Sequence, residues 1–160
     1  MVANQFVSQY DVKLVQQAVD RLFALLRMDE KIDPSWRVCI KPNLLMKRRP
    51  EEGTTTHPAV VRAVIRHLQS LGVENITIAD SPGGVYTKAA LTGIYQASGM
   101  EDVAKETGAA LNFDLGTTHC PQPEGVMCRA FDLINPVAQA DFVISIAKLK
   151  SHCMTGLSGG

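Results

Sequence analysis

The hydrophobic positions of this chain change repeatedly between helical and extended spacing. In the helical stretches, apolar side chains recur every three or four residues, which places them on one face of a helix. Four segments show this spacing and predict amphipathic helices: residues 11–27, 58–71, 87–98 and 100–107. Gly72, Gly99 and Gly108 follow the last three, as expected just beyond a helix end.

Runs of apolar and β-branched residues lie between these helices. They predict strands at residues 36–40, 75–79, 109–113 and 142–146, with a further candidate at residues 128–134. The runs at 109–113 and 142–146 are nearly continuous, which is typical of strands covered on both faces. The alternation predicts an α/β fold, namely one domain over residues 1–160 with an open, mostly parallel, Rossmann-like sheet and helices on both faces. Polar residues 46–56 carry no period and predict a mobile loop.

Composition narrows the class of protein. Hydrophobic residues make up 46% of the 160 positions and charged residues 20%, as in an ordinary folded domain. Lys and Arg together number 16, as do Asp and Glu, so no net field draws the chain to nucleic acid or to a membrane surface. Any attraction for anions must therefore be local. The start lacks a secretory signal and no run of about 20 apolar residues occurs, which predicts a cytoplasmic protein with no membrane partner.

The cysteines do not form a recognisable ligand set. Four occur in the chain: Cys39, Cys120, Cys128 and Cys153. Their spacing is not that of a zinc or iron–sulfur site, and we expect reduced thiols. His119 and Cys120 are adjacent and would suit a metal together with Asp80 or His152, but no spacing rule supports this. We predict no metal site in the chain.

Polar clusters follow the four principal predicted strands. The clusters are Lys41–Asn43, Asp80–Gly84, Thr117–Cys120 and Lys148–His152. In an open parallel sheet, ligands bind outside the carboxyl ends of the strands, where the connections diverge. The sequence therefore predicts that these clusters meet at one rim of the sheet and form the site there.

Two residues of this rim are candidates for proton transfer. Asp80 directly follows an apolar strand, where its carboxylate can accept a substrate proton, hold a cation or cap the next helix. His57 lies at the start of the 58–71 helix, where its ring can cap the helix or contact a bound anion. We take both as candidate catalytic residues. His67 lies off the apolar stripe of the same helix, and we expect it to be solvated.

The other rim residues are candidate anion ligands. They are Lys41, Asn43, Ser81, Gly83, Gly84, Lys148, Lys150 and His152. The last three stand two residues apart, so an extended backbone presents them on one face. The 81–84 turn can expose backbone N–H groups to a phosphate or carboxylate, although it matches neither the dinucleotide nor the P-loop fingerprint. Simpler roles are also open: a counter-charge for Lys41, a tight turn for the glycines and a solvated stripe for the later lysines.

Taken in order, several of these motifs resemble one family. Lys41–Leu45, Thr56–Pro58, Ile78–Gly84 and Lys148–His152 before Thr155–Gly156 are similar to the family called domain of unknown function 362. Each motif is weak by itself, and their order makes the likeness fairly specific. A weaker likeness in layout, a Thr-His-Pro helix followed by a strand and a glycine turn, links the chain by analogy to the nickel-cofactor lactate racemase family.

The resemblance implies no defined activity. Members of the family often carry a ferredoxin-like module with cysteine-ligated iron–sulfur clusters, which implies electron-transfer enzymes of anaerobic metabolism. This sequence shows no such module, so we expect no iron–sulfur cluster within it, and a ferredoxin-like module or protein would act in trans. The chain stops at Ser158-Gly159-Gly160, where family members continue into another helix. We therefore expect either a domain truncated at its C-terminal end or a short family variant.

Two functions follow as hypotheses. The first is an α/β domain that binds an anionic small molecule or cofactor of unknown identity at the strand ends, as part of an iron–sulfur-dependent redox enzyme. The alternative is a non-catalytic domain whose basic rim, with Lys47, Arg48 and Arg49, docks an iron–sulfur protein or a larger complex. A third alternative is a scaffold with exposed apolar surface, which would self-associate and form an oligomer.

Overall fold

The computed structural model describes residues 1–152, 154 and 156–158. Cys153, for which we expect a reduced thiol, and the motif residues Thr155, Gly159 and Gly160 lie outside the described residues. The three cysteines within them are free thiols. In the described part of the chain, every helix is too short or too polar to cross a lipid bilayer.

The helices begin and end close to the positions that the hydrophobic spacing predicts. They are α1 (Val12–Leu25), α2 (Pro58–Ser70), α3 (Lys88–Ala97), α4 (Met100–Thr107) and the short α5 (Asn135–Ala138), with a 3-10 helix at Pro50–Glu52. The four predicted helices are thereby confirmed. Side-chain caps explain two of the starts, because Asp11 accepts hydrogen bonds from the N–H groups of Lys13 and Leu14 and Thr87 accepts one from Ala90.

A parallel sheet forms the centre of the fold. Within the described residues, the strands are β1 (Val38–Pro42), β2 (Ile76–Ile78), β3 (Ala110–Leu111), β4 (Thr117–Pro121), β5 (Ala130–Ile134), β6 (Phe142–Ile146), β7 (Lys150–His152) and β8 (Gly156–Ser158). The order β3-β2-β1-β6 makes one sheet in which each neighbouring pair is parallel, which confirms the predicted α/β fold. The chain leaves β1 toward β2 on one side, whereas β6 lies on the other side of β1, so the connections diverge between β1 and β6.

The two faces of the sheet pack against different helices. Val38 and Ile40 belong to the main hydrophobic core, together with buried residues of α1, α2, α3 and α4. Cys39, the residue between them, belongs to a second small cluster with Ile134, against which Val137 of α5 packs. Because successive side chains of a strand point to opposite faces, helices lie on both faces of the sheet.

The strand β6 is covered on one face only. Phe142, Ile144 and Ile146 pack against the main core. Val143 between them is 38% exposed, and Ser145 is exposed as well. The expectation of two covered faces is therefore wrong for residues 142–146, because β6 lies at the edge of the described sheet and α5 packs against β1 instead.

Two antiparallel hairpins complete the described chain. In the first, β4 pairs with β5, so the strand predicted at 128–134 is confirmed from Ala130 onward. We predicted that the Thr117–Cys120 cluster forms a loop at the end of the third strand, but these residues form strand β4 instead. The prediction is wrong because β3 already ends at Leu111, and because a largely exposed hairpin strand has a polar sequence like that of a loop. In the second hairpin, β7 pairs with β8.

His67 is buried, contrary to the expectation of a solvated ring. It is 7% exposed, and its two ring nitrogens lie 2.8 Å from Asp20 Oδ1 and 2.9 Å from Asp29 Oδ1. The ring also packs on Phe23 of α1, with 4.3 Å between ring centres. A position beside the apolar stripe of α2 becomes buried because α1 packs over it, and the two carboxylates satisfy the ring there.

Candidate functional site

Asp80 lies just beyond β2 and joins it to the end of β1. The residue is 3% exposed. One carboxylate oxygen accepts a hydrogen bond from the Lys41 ammonium at 2.9 Å, and the other accepts one from the Leu44 backbone N–H at 2.8 Å. Both oxygens are thus engaged, so Asp80 fixes the position of Lys41 and of the loop that follows β1.

Thr56 joins the same loop to β6. Its hydroxyl accepts a hydrogen bond from the Asn43 N–H at 2.8 Å and donates one to the Ile146 carbonyl at 2.5 Å. Its own backbone N–H donates to the Asn43 carbonyl at 2.9 Å. One residue, directly before the N-cap of α2, therefore holds together the ends of β1 and β6 and the start of a helix.

Lys148 and Lys150 reach this rim from the segment after β6. The Lys150 ammonium donates to the side-chain oxygen of Asn43. The Lys148 ammonium lies 3.5 Å from the Tyr10 hydroxyl and 5.9 Å from the centre of that ring. Both lysines are half-buried and Leu149 between them is exposed, so they share one inward face, as their spacing predicts.

His57 caps α2 and stacks on Tyr10. Its Nδ1 accepts a hydrogen bond from the Ala59 N–H at 3.2 Å, which assigns the ring proton to Nε2. The Tyr10 ring lies parallel to it with 3.7 Å between ring centres. Burial lowers the pKa of His57 below its usual value; Glu51 opposes this shift and Lys148 adds to it. His57 is therefore a neutral ring that can donate a hydrogen bond from Nε2.

The glycine turn after Asp80 packs against the loop that follows β1. The Gly83 N–H donates to the Leu45 carbonyl at 3.0 Å. Gly84 has a φ of 94°, a conformation that glycine adopts without strain. One of the N–H groups predicted to face an anion is therefore used inside the protein, and Ser81 is exposed to solvent.

A pocket of about 90 Å³ lies between the carboxyl ends of β1 and β6. We call it the β1/β6 pocket, and its lining residues are Lys41, Pro42, Asn43, Ser145, Ala147, Lys148 and Ser158. The strand register supports this placement, since Lys41 pairs with Ser145 across the sheet. The pocket stands at the point where the connections diverge, which is where open α/β sheets bind ligands.

Two larger hollows among the described residues lack this concentration of cations. A groove of about 470 Å³ between α1, α2 and β6 is lined almost entirely by apolar side chains. A second hollow of about 220 Å³, on the face that α5 covers, contains Asp114 and the guanidinium group of Arg37. That guanidinium is already paired with Asp141 at 2.8 Å. The β1/β6 pocket is therefore the better candidate for an anion site.

The rim brings together half of the ten residues that the sequence singled out: Lys41, Asn43, Asp80, Lys148 and Lys150. His57 stands beside the pocket and is joined to Lys148 through the ring of Tyr10. The turn formed by residues 81–84 lies on the β2 side of Asp80, and its residues do not line the pocket. His57 and the 81–84 turn therefore lie near the pocket but do not form its wall.

The histidines weighed as metal ligands have other partners. His119 lies in the β4–β5 hairpin with its Nδ1 2.9 Å from Asp132 Oδ1. His152 accepts a hydrogen bond at Nδ1 from the Met154 N–H at 3.2 Å. Across residues 1–152, 154 and 156–158, no group of three or more His, Cys, Asp or Glu side chains is arranged to hold a metal ion.

Sequence reasoning did not find three residues of the site. Tyr10 is separated from Lys148 by 138 positions, so no local pattern connects them. Ser158 comes to the pocket only because β8 pairs back on β7. The sequence did contain a signal for Thr56, since a threonine near a helix start often forms hydrogen bonds with neighbouring backbone groups.

Comparison with known proteins supports the family resemblance. A family model described as Domain of unknown function (DUF362) matches residues 38–160. The match spans β1 and the strand-end motifs that form the rim. A search of curated proteins and a search of solved structures found no match. The chain belongs to the DUF362 family.

Proposed function

We propose that this chain binds a small anionic molecule or cofactor in the β1/β6 pocket. The observation that carries the proposal is the composition of the pocket wall, where Lys41 and Lys148 stand on neighbouring strand ends. Lys150 adds a third ammonium group, which donates a hydrogen bond to the side-chain oxygen of Asn43. Within the described residues, Asp80 is the one carboxylate paired with these lysines, so positive charge is in excess there.

The hydrogen-bonding capacity of the lysines supports the same conclusion. An ammonium group has three N–H donors. Lys41 directs one of them to Asp80, and Lys148 directs one toward Tyr10. The remaining donors are available to a ligand oxygen, and charge-assisted hydrogen bonds of this kind are stronger than neutral ones.

The size of the pocket limits what it can enclose. A volume of about 90 Å³ is well below the roughly 300–1,000 Å³ of pockets that enclose a drug-sized ligand. That space suits a single carboxylate or phosphate group. The ligand is therefore a small oxyanion, or a larger molecule that places such a group in the pocket.

In this proposal, His57 is a better candidate than Asp80 for a proton-transfer group. Both oxygens of Asp80 are bonded inside the protein, so its role is to hold Lys41 in place. His57 carries a proton on Nε2 and stands near Lys148. The link to an iron–sulfur redox enzyme rests on the family resemblance alone, and in the proposal any cluster is supplied in trans.

The docking hypothesis loses part of its support from the loop at residues 46–56. The Arg48 guanidinium lies 2.9 Å from the Glu52 carboxylate, and the same carboxylate accepts from the Arg49 N–H at 2.8 Å. The two acidic residues of the loop, Glu51 and Glu52, therefore offset part of the charge of its three basic ones. A small anion in the β1/β6 pocket accounts for the lysines better than an acidic protein does.

The test is to remove the later lysines and measure both kinds of binding. Lys148→Ala with Lys150→Ala is compared with a control that removes two cations outside the pocket, Lys13→Ala with Lys105→Ala. Isothermal titration with inorganic phosphate and with oxalate is expected to show affinity at least about tenfold weaker in the first double variant only, since hydrogen bonds to charged groups contribute about 1.5–3 kcal/mol each.

Two results would overturn the proposal. One is equal affinity of both double variants for phosphate and oxalate. The other is unchanged anion affinity together with weaker binding of an acidic ferredoxin, which would establish the docking function in its place. Thermal unfolding of both variants checks that the loss of binding is not a loss of the fold.

A further inference from the structure

Ser158 forms part of the wall of the β1/β6 pocket although it comes from a separate hairpin. It lies in β8, where it pairs with Lys150 of β7. The pairing brings Ser158 to the same pocket as Lys41 and Lys148. The wall therefore has three contributors, the ends of β1 and β6 and the strand β8.

The Ser158 hydroxyl is buried, and within the described residues it neither donates nor accepts a hydrogen bond. Burying a hydroxyl without a partner is unfavourable, and folded proteins satisfy nearly all such groups with protein atoms, water or ligands. Ser145 lines the same pocket but is exposed to solvent. Ser158 is thus the pocket hydroxyl whose environment calls for a partner.

Other unpartnered hydroxyls do not share this position. Thr54 and Thr55 also bury their hydroxyl oxygens without a described partner, but neither lines the β1/β6 pocket. Among residues 1–152, 154 and 156–158, only Ser158 combines an unsatisfied donor with a wall that carries two ammonium groups. The combination is suited to an oxyanion, whose oxygens each accept several hydrogen bonds.

We propose that Ser158 is a direct ligand of the anion, with its hydroxyl donating a hydrogen bond to a carboxylate or phosphate oxygen held by Lys41 and Lys148. The inference rests on the proposed function and adds to it a third protein ligand for the oxyanion. The hairpin β7–β8 supplies Lys150 and Ser158 together, so its position against the sheet determines whether the pocket is complete.

The test is Ser158→Ala, with Ser151→Ala on the exposed side of the same hairpin as the control. Isothermal titration with inorganic phosphate and with oxalate is expected to give affinity about tenfold weaker for Ser158→Ala and unchanged for Ser151→Ala. The probe whose affinity falls more identifies whether the pocket is built for phosphate or for carboxylate.

The melting temperature of the ligand-free protein separates a ligand role from a structural one. Because the hydroxyl has no described partner, Ser158→Ala is expected to leave that temperature unchanged or to raise it. A lower melting temperature would assign Ser158 a structural role and overturn the inference. Wild-type affinity in Ser158→Ala, with affinity lost in the lysine double variant, would overturn the inference and leave the proposed function standing. Failure of the wild type to bind either probe would overturn both.

Discussion

At the residue scale, breaking the ion pair between Asp80 and Lys41 is expected to have the largest effect on the stability of the rim. Asp80 is 3% exposed and bonds both Lys41 and the Leu44 N–H. In Asp80→Asn the ammonium loses its counter-charge and the amide can accept only one of the two bonds well. Breaking a buried ion pair costs about 3–5 kcal/mol, and since the Lys41 side chain is 39% exposed, we expect about 2 kcal/mol. Urea unfolding measures this change in the free energy of unfolding.

The matched control is the double variant Lys41→Met with Asp80→Asn. It removes both charges, so it is expected to be more stable than Asp80→Asn alone. If the effects of Lys41→Met and Asp80→Asn on the free energy of unfolding simply add, the two side chains do not interact and the account of the rim is wrong.

His57 is expected to make the stability of the protein depend on pH. Burial lowers the pKa of His57 in the folded state, so below the ordinary value of about 6.5 the unfolded chain binds a proton that the folded chain does not. Stability is therefore lost as the pH falls through this range. In His57→Asn, which keeps a side-chain cap on α2 but does not titrate, that loss is expected to disappear.

The measurement is the melting temperature of both proteins between about pH 7.5 and pH 5.5. The difference between the variant and the wild type is expected to shift in favour of the variant as the pH falls. Taking the difference cancels the pH dependence that the two proteins share. Parallel curves would show that the His57 ring does not resist protonation in the folded protein.

The sequence predicted the charged residues of the site better than the neutral ones. Lys41, Asp80 and Lys148 are unusual directly after apolar strands, and that placement alone indicated a shared rim. Tyr10 and Ser158 are ordinary residue types in ordinary surroundings, and only the tertiary structure brings them to the pocket. Their roles depend on which segments become neighbours, which spacing along the chain does not determine.

At the scale of the elements, Thr56 joins β1, β6 and α2. It is 3% exposed, and its hydroxyl serves the Asn43 N–H and the Ile146 carbonyl at once. Thr56→Val keeps the shape but leaves both backbone groups without this partner, which we expect to cost about 2 kcal/mol. The affinity for the anion should fall too, since Asn43 holds Lys150.

Thr56→Ser is the matched control for this experiment. It keeps the hydroxyl and removes only a methyl group, so we expect it to retain most of the stability and the affinity. Urea unfolding and phosphate titration of both variants provide the readouts. Equal losses in the two variants would show that the methyl group, and not the hydroxyl, makes the contribution.

Helices were easier to predict than strands because their period extends over more residues. The apolar stripes of α1 and α2 repeat over three turns or more, whereas β3 has only two residues, Ala110 and Leu111. The hairpin strand β4 was missed because polar side chains on its exposed positions resemble those of a loop. β6 was assigned correctly, but its apolar run did not show that one face is open.

At the scale of the whole molecule, the alternation of helices and strands predicted a parallel sheet, and the general rule for such sheets predicted the rim. The order β3-β2-β1-β6 was not predictable, because spacing along the chain does not say which strands become neighbours. That order decides that the ends of β1 and β6 enclose the pocket. It also places the glycine turn after β2 outside the wall.

Charge shows the same dependence on the tertiary structure. The acidic and basic residues of the chain balance at 16 each, so the molecule as a whole exerts no strong pull on anions. Folding concentrates Lys41, Lys148 and Lys150 at one end of the sheet. Anion binding is therefore expected to be local and to stabilise the fold by mass action as the ligand concentration rises above its dissociation constant.

The most direct test of this account is a titration of the isotope-labelled protein with inorganic phosphate, followed by oxalate, while the backbone amide signals are recorded by NMR. An anion site between β1 and β6 predicts saturable shifts that are largest at residues 41–45 and 145–150, with smaller shifts in the 81–84 turn. No saturable shift, or shifts concentrated on α4 or on the β4–β5 hairpin, would contradict an anion site between β1 and β6.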